Sequence, residues 1–224
     1  MERKIYPLTA GVAGLGFAAL ILSGNAFLAP AGIPLPGADL AQVSAFFSSQ
    51  KQLIGLTSAM APLTWAAATV FGAGALMALW RSASEYGRAW SLVGLAGILM
   101  QNLTFTGVLA TRLALSSTAP EHQQAVSALW TLNEGLFFFN GTFLAIALVG
   151  LSAAGRAAGA IPRWHAWMGY LAAALQFGSA TLSPLVIDDP QRVGLLGLVG
   201  WLLWAAWLVV YGVVLIRLPR PAVT

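Results

Sequence analysis

The residues of this chain that could do chemistry are polar side chains inside long apolar stretches. Glu134 is the only acid that lies well inside such a stretch. Its carboxyl group could give or take a proton, which is what a general acid or base does. An ionisable residue in hydrocarbon is costly, so its presence there indicates a function. We therefore take Glu134 as the candidate catalytic residue.

Further polar and aromatic side chains lie at compatible positions along the chain. Asn133 precedes Glu134, and Asn140 follows Asn133 by one heptad, on nearly the same face of a helix. Trp201 and Trp204 stand too deep for an interfacial belt and could form an aromatic wall. The remaining candidates for binding the polar end of a ligand are Gln101, Asn102, Arg112, His122 and Gln176.

Two interpretations of these polar residues remain open. In the structural one, the amides bond across helices, with Glu134 neutral and bonded to Gln101 or Asn102, or paired with Arg112. In the functional one, they line a pocket that opens toward the outer surface. That pocket would bind a small hydrophobic or lipid-like molecule, and Glu134 could convert it by cofactor-independent isomerisation or cyclisation.

The composition defines the class of protein that must position these residues. Hydrophobic residues make up 58 % of the 224-residue chain and charged residues 8 %. A soluble domain carries roughly 25 % charged residues, so a soluble globular fold is excluded. The chain is also too apolar to remain disordered in water. Its apolar runs are continuous, which differs from the alternating pattern of barrel strands. The sequence therefore predicts an all-α polytopic membrane protein.

Six apolar segments are each long enough to cross a bilayer core of about 30 Å, which takes about 20 helical residues. They are Leu8–Ala29, Leu53–Trp80, Ala89–Thr111, Val126–Ala153, Trp167–Ile187 and Val193–Ile216. Each must be a helix, because a lipid-exposed backbone has to satisfy its own hydrogen bonds. We expect a single six-helix domain over residues 1–224. Hairpins 53–112 and 128–187 could be a parallel repeat, since one shift places Gln101 on Gln176.

The basic residues predict an orientation. With the N-terminus in the cytoplasm, only Lys51, Arg112 and Arg192 of the eleven Lys and Arg residues lie outside. Because cytoplasmic loops are enriched in Lys and Arg, both termini are expected inside. The predicted location is a bacterial cytoplasmic membrane, crossed several times.

The first outer loop is predicted to contain a short amphipathic helix. Pro30, Pro34 and Pro36 break the chain, and Asp39 then provides a capping signal. Apolar residues follow at helical spacing, which predicts a helix over residues 39–48 that lies on the outer surface. This helix is either an interfacial filler or a lid over a cavity.

The sequence argues against several kinds of site. There is no cysteine, which removes disulfides, thiolate nucleophiles and iron–sulfur clusters. His122 and His165 would lie on opposite sides of the membrane, so a bis-His haem or metal site is not expected. The bases are scattered singly, which does not favour nucleic acid. We expect no cofactor and no metal. The expected partners are the lipid bilayer, a small hydrophobic ligand, and a membrane-protein partner or a second copy of the chain.

A short motif carries a resemblance to a known family. Residues Ile161–Gly169 read IPRWHAWMG, which places Pro, Arg and Trp at the start of the fifth predicted helix. This segment resembles the turn of the uncharacterised bacterial six-helix membrane proteins grouped as DUF4386. The resemblance implies a six-helix architecture. It implies no activity and no site residues, because that family has none assigned.

Two other functions are compatible with the sequence. The chain could be a non-enzymatic accessory or scaffold subunit, with Gly194, Gly197 and Gly200 packed against a partner helix. It could also transport a small solute, although inverted symmetry and broken helices are not evident. A scaffold predicts that these small residues face lipid. A pocket predicts that the polar side chains converge on a void.

Overall fold

The computed structural model of the chain describes residues 5–80, 84–119, 122–186 and 191–218. Its α-helices are α1 (Ile5–Leu28), α2 (Leu40–Ser49), α3 (Lys51–Ala59), α4 (Ala61–Trp80), α5 (Glu85–Thr118), α6 (Gln123–Ala157), α7 (Arg163–Leu182) and α8 (Gln191–Arg217). A 3₁₀ turn, Ser183–Val186, follows α7, and no strand occurs among the described residues. The predicted all-α class is confirmed.

Five helical segments of the described chain are long and apolar enough to cross a membrane. They lie in α1, in α3 together with α4, in α5, in α6 and in α8. Helix α7 holds the sixth predicted segment and is not among these five. The chain is therefore an α-helical bundle of membrane-spanning type.

The long helices form a closed ring. Helix α1 packs on α4 and α8, α5 packs on α4 and α6, and α7 packs on α6 and α8. One end of the ring carries residues 29–60, and we call it the capped end. In the other half of the ring, the helices meet in an apolar core. Its members include Phe71, Leu148, Leu151, Leu208 and Tyr211, all nearly inaccessible to solvent.

The contact between α5 and α6 depends on small residues. A Cβ added at Gly150 would collide with the backbone nitrogen of Gly94, and one added at Gly97 would collide with that of Ala147. Such close approach of two backbones is typical of helix packing in membranes. It sets the register of α5 against α6, and therefore the height of the polar residues they carry.

Helices α5 and α6 extend beyond the rest of the ring. Their 34 and 35 residues correspond to about 50 Å each, against about 30 Å for a bilayer core. Helix α2 packs on these projecting ends of α5 and α6 at the capped end. The sequence predicts a helix in this segment. Asp39 caps α2, because its Oδ1 accepts a hydrogen bond of 2.8 Å from the Gln42 N–H. Phe47 is fully buried, with its ring 6.2 Å from that of Trp130.

The second apolar segment is interrupted, although the sequence predicts one helix over residues 53–80. Met60 separates α3 from α4, and Pro62 occupies the first turn of α4. Proline has no N–H to donate and is tolerated in a first turn, so the break falls just before it. The break places Met60 at the capped end of the ring, where the site lies.

Candidate ligand-binding cavity

The ring encloses a cavity of about 410 Å³ in its capped half. All six ring helices line it, and residues 33–36 of the segment between α1 and α2 line it from the capped end. Pockets that hold small molecules usually measure about 300–1,000 Å³ and are mostly apolar with a few polar groups. The void therefore has the size and position that the functional interpretation of the polar residues requires.

Most of the predicted site residues line this cavity. They are Gln101, Arg112, Asn133, Glu134, Asn140, Gln176, Trp201 and Trp204. Asn102 and His122 lie elsewhere. The Asn102 Nδ2 group faces α4, where the Trp65 carbonyl and the Thr69 hydroxyl are each 3.4 Å away. His122 is exposed and directly precedes α6.

Glu134 is bonded to the loop that precedes α2. Its Oε1 accepts a hydrogen bond of 2.6 Å from the Gly37 N–H, and the Glu134 side chain is half-buried. Gly37 has a φ of +84°, a left-handed conformation that glycine adopts without a steric penalty. The hydrogen bond therefore fixes the loop against α6 at the edge of the cavity.

This loop covers the cavity, and α2 does not. Ile33, Pro34, Leu35 and Pro36 line the cavity, whereas no residue of α2 does. The apolar face of α2 is instead buried against the overhanging ends of α5 and α6. The amphipathic pattern of α2 is compatible with an interfacial filler or a lid, and the structure gives the covering position to the proline-rich segment before α2.

Three of the predicted amides bond across helices, as in the structural interpretation. Asn102 bonds to α4 as described, and Asn133 donates to the Val108 carbonyl at 3.0 Å and to the Thr111 hydroxyl at 2.7 Å. Gln176 donates from Nε2 to the Gly197 carbonyl at 3.0 Å, which joins α7 to α8. These bonds hold the walls of the cavity in place.

Other polar groups on the cavity wall have no partner within the described part of the chain. The buried atoms are Arg112 Nε, Trp130 Nε1 and Asn140 Oδ1. Gln101, which is 5 % exposed, makes no side-chain hydrogen bond there either. Buried polar atoms are almost always bonded, and an unsatisfied one costs about 1–3 kcal/mol. Residues that line the cavity therefore carry hydrogen-bonding groups without a partner in the described chain.

Trp130 is a cavity residue that the sequence analysis missed. The signal was its position four residues before Glu134, which puts both side chains on one face of α6. The expected pairs of Glu134 with Gln101, Asn102 or Arg112 are not formed among the described residues. The Glu134 carboxylate instead uses the backbone of the covering loop.

Aromatic side chains line two sides of the cavity. The rings of Trp201 and Trp204 are 6.2 Å apart, and Trp204 also meets Phe17 edge-on at 5.6 Å. On the other side, Trp65 and Phe105 form an edge-on pair at 5.9 Å. These rings give the cavity apolar walls.

A second buried polar cluster lies in the opposite half of the ring. His165, which is fully buried, donates from Nε2 to the Trp207 carbonyl at 3.0 Å, because a carbonyl can only accept. Its Nδ1, the Trp207 indole N–H and the Ser152 hydroxyl have no partner among the described residues. Gly169 provides room for the last two, since a Cβ there would meet both. Two residues of the IPRWHAWMG segment therefore help join α6, α7 and α8.

Two of the three glycines proposed for partner packing on α8 instead contact another helix of the same chain. A Cβ at Gly197 would lie 2.9 Å from the Ser179 hydroxyl, and one at Gly200 would lie 3.0 Å from the Leu175 Cβ. Both glycines therefore pack on α7. Gly194 lines the cavity, with no atom within 4 Å of an added Cβ.

No protein-family model, curated protein or solved structure matches this chain. The resemblance to the DUF4386 proteins therefore stays a prediction from one short segment.

Proposed function

We propose that the chain crosses a bacterial cytoplasmic membrane six times, with the capped end outside and both termini inside. Support for the sixth crossing comes from α7, whose 20 residues span about 30 Å and which completes the ring between α6 and α8. Support for the orientation comes from Arg88, Arg156, Arg163 and Arg217, which lie toward the end opposite the cap. Arg3, Lys4, Arg81, Arg220 and the side chain of Arg192 lie outside the described residues.

The function that the geometry supports best is the binding of a small hydrophobic or lipid-like molecule in the capped half of the ring. The observation that carries this proposal is the convergence of unpartnered polar groups on an apolar cavity of about 410 Å³. The polar end of the ligand would lie at the capped end, beside Arg112. Trp201 and Trp204 would contact its apolar part.

Acid–base conversion of the ligand by Glu134 is a second candidate function. Its support is the position of Glu134, the only acidic side chain on the cavity wall among the described residues. Binding is favoured over conversion because one carboxylate oxygen already accepts a hydrogen bond from Gly37. A scaffold role has less support, since Gly197 and Gly200 pack within the chain.

The test fills the cavity from a position where an added Cβ meets no atom. Gly24 lines the cavity and Gly16 does not, and neither has an atom within 4 Å of an added Cβ. Both lie on α1, so Gly24→Phe and Gly16→Phe are matched variants. The probes are dibrominated stearic acid and the corresponding alcohol, which quench the fluorescence of nearby indoles.

We expect saturable quenching in the unmodified protein, because Trp65, Trp130, Trp201 and Trp204 all line the cavity. Gly24→Phe should weaken the binding of the preferred probe by about tenfold or more, equivalent to at least about 1.4 kcal/mol. Gly16→Phe should leave it nearly unchanged. Equal effects of the two variants, or no saturable quenching by either probe, would contradict the proposal.

A further inference from the structure

Arg112 is a basic side chain on the wall of the cavity, and no acidic side chain among the described residues pairs with it. No ion pair with Glu134 and no hydrogen bond from the guanidinium occurs within the described residues, and the Nε atom is buried. The Arg112 side chain as a whole is half-buried, and a partly buried charge is stabilised by an opposite charge. Arg112 therefore gives the ligand-free cavity a positive charge that is available to a bound molecule.

Trp130 provides a second free donor at the same height. The hydrogen bonds of Asn133 place it opposite Val108 and Thr111, which sets the register between α5 and α6. Arg112 follows Thr111 on α5, and Trp130 lies three residues before Asn133 on the antiparallel α6. The indole N–H of Trp130, which is 5 % exposed, has no acceptor among the described residues. The two donors are therefore level with each other near the capped end.

The chemistry of these two groups restricts what they can bind. A guanidinium and an indole N–H are donors only, so the facing ligand group must be an acceptor. The charge of the guanidinium favours an anion, and its planar donor fork matches the oxygens of a carboxylate or a phosphate. Glu134 does not fill this role, because its carboxylate bonds to Gly37 and forms no ion pair with Arg112 among the described residues.

The rest of the cavity fits a hydrocarbon chain. Below Arg112, its lining is mainly apolar and includes Leu20, Ile21, Phe105 and Leu144. Its volume of about 410 Å³ is in the lower part of the range for small-molecule sites, which favours one chain over two. We propose that the site binds a single-chain amphiphile with an oxyanion head, and that Arg112 and Trp130 hold this head. This proposal rests on the binding function proposed above.

The experiment compares charged and neutral probes on the full-length protein in detergent. Dibrominated stearic acid and the corresponding alcohol are titrated at mildly alkaline pH, where a carboxylic acid is ionised. Inorganic phosphate and dodecyl phosphate serve as competitors, which separates a free anion from an anion on a chain. The variants are Arg112→Gln, which removes the charge, and Trp130→Phe, which removes only the donor. Arg156→Gln, an exposed arginine at the other end of α6, is the control.

We expect the acid to bind more tightly than the alcohol, and dodecyl phosphate to compete far better than inorganic phosphate. Arg112→Gln should weaken binding of the acid by about tenfold to a hundredfold, the range for a hydrogen bond to a charged group. It should leave binding of the alcohol within about threefold. Trp130→Phe should weaken acid binding by a smaller factor, and Arg156→Gln should have no effect.

Each other outcome would overturn the proposal. Equal binding of acid and alcohol would refute the oxyanion head and leave the proposed binding function intact, whereas failure of both probes would refute both. Competition by inorganic phosphate as strong as that by dodecyl phosphate would indicate a free-anion site. Thermal unfolding is measured in parallel, because Arg112→Gln loses no native hydrogen bond and should unfold at the same temperature or higher. A markedly lower unfolding temperature of Arg112→Gln would indicate that Arg112 has a structural role instead.

Discussion

The hydrogen bond between Glu134 and Gly37 should control access to the cavity. It is short, 2.6 Å, and its acceptor is a carboxylate. Hydrogen bonds to charged groups contribute about 1.5–3 kcal/mol, and partial exposure of both groups favours the lower value. Glu134→Ala should therefore increase the open population of loop 33–36 by roughly tenfold. Glu134→Gln keeps an oxygen acceptor without the charge and should increase it by about threefold.

Cysteine labelling measures this opening, because the chain contains no cysteine of its own. Ala180 lines the cavity and is 4 % exposed, so we expect a maleimide to react faster with Ala180→Cys when the covering loop opens. The labelling rate should rise in the order unmodified Glu134, Glu134→Gln, Glu134→Ala. Ala157→Cys, at the exposed end of α6, is the control and should react at one rate throughout.

The result that would refute this reasoning is an unchanged labelling rate of Ala180→Cys in Glu134→Ala. The cavity would then open by another route, and the bond to Gly37 would not control it. An equal increase at Ala157→Cys would also contradict the reasoning, because it would show general destabilisation. Substituting Gly37 itself is less informative. Its φ of +84° would strain any other residue in addition to moving the N–H.

Two further predictions concern topology and packing. A cysteine at Ser117, in the last turn of α5, and one at Ala158, which directly follows α6, should react differently with a membrane-impermeant maleimide applied to intact cells. Ser117→Cys should label from outside and Ala158→Cys should not, and the reverse pattern would reject the orientation. Gly150→Ala should lower the thermal stability by about 1–3 kcal/mol, because its Cβ would collide with the backbone of Gly94. A Cβ added at Gly178 has no atom within 4 Å, so Gly178→Ala should be neutral or stabilising. Equal losses of thermal stability in the two variants would refute the α5–α6 packing.

The sequence by itself was sufficient for the class of fold and for the approximate position of the site. Long apolar runs leave a chain in lipid no alternative to helices, because each backbone polar group must be satisfied within its own segment. Polar residues in those runs are few, so their heights along the helices can be compared without a structure. Arg112, Glu134 and Gln176 were placed in one half of the bundle in this way, and they line one cavity.

The sequence could not determine which polar groups bond to each other. Asn133 and Glu134 are adjacent, yet Asn133 joins α5 to α6 while Glu134 reaches Gly37, 97 residues earlier. Arg112 has an acid on the same cavity wall and does not pair with it. Helical periodicity gives the height and face of a side chain, but partners across helices depend on their rotation and spacing. Those quantities are set by packing of the whole ring, including the glycine contacts of α5 and α6, so only the tertiary structure decided them.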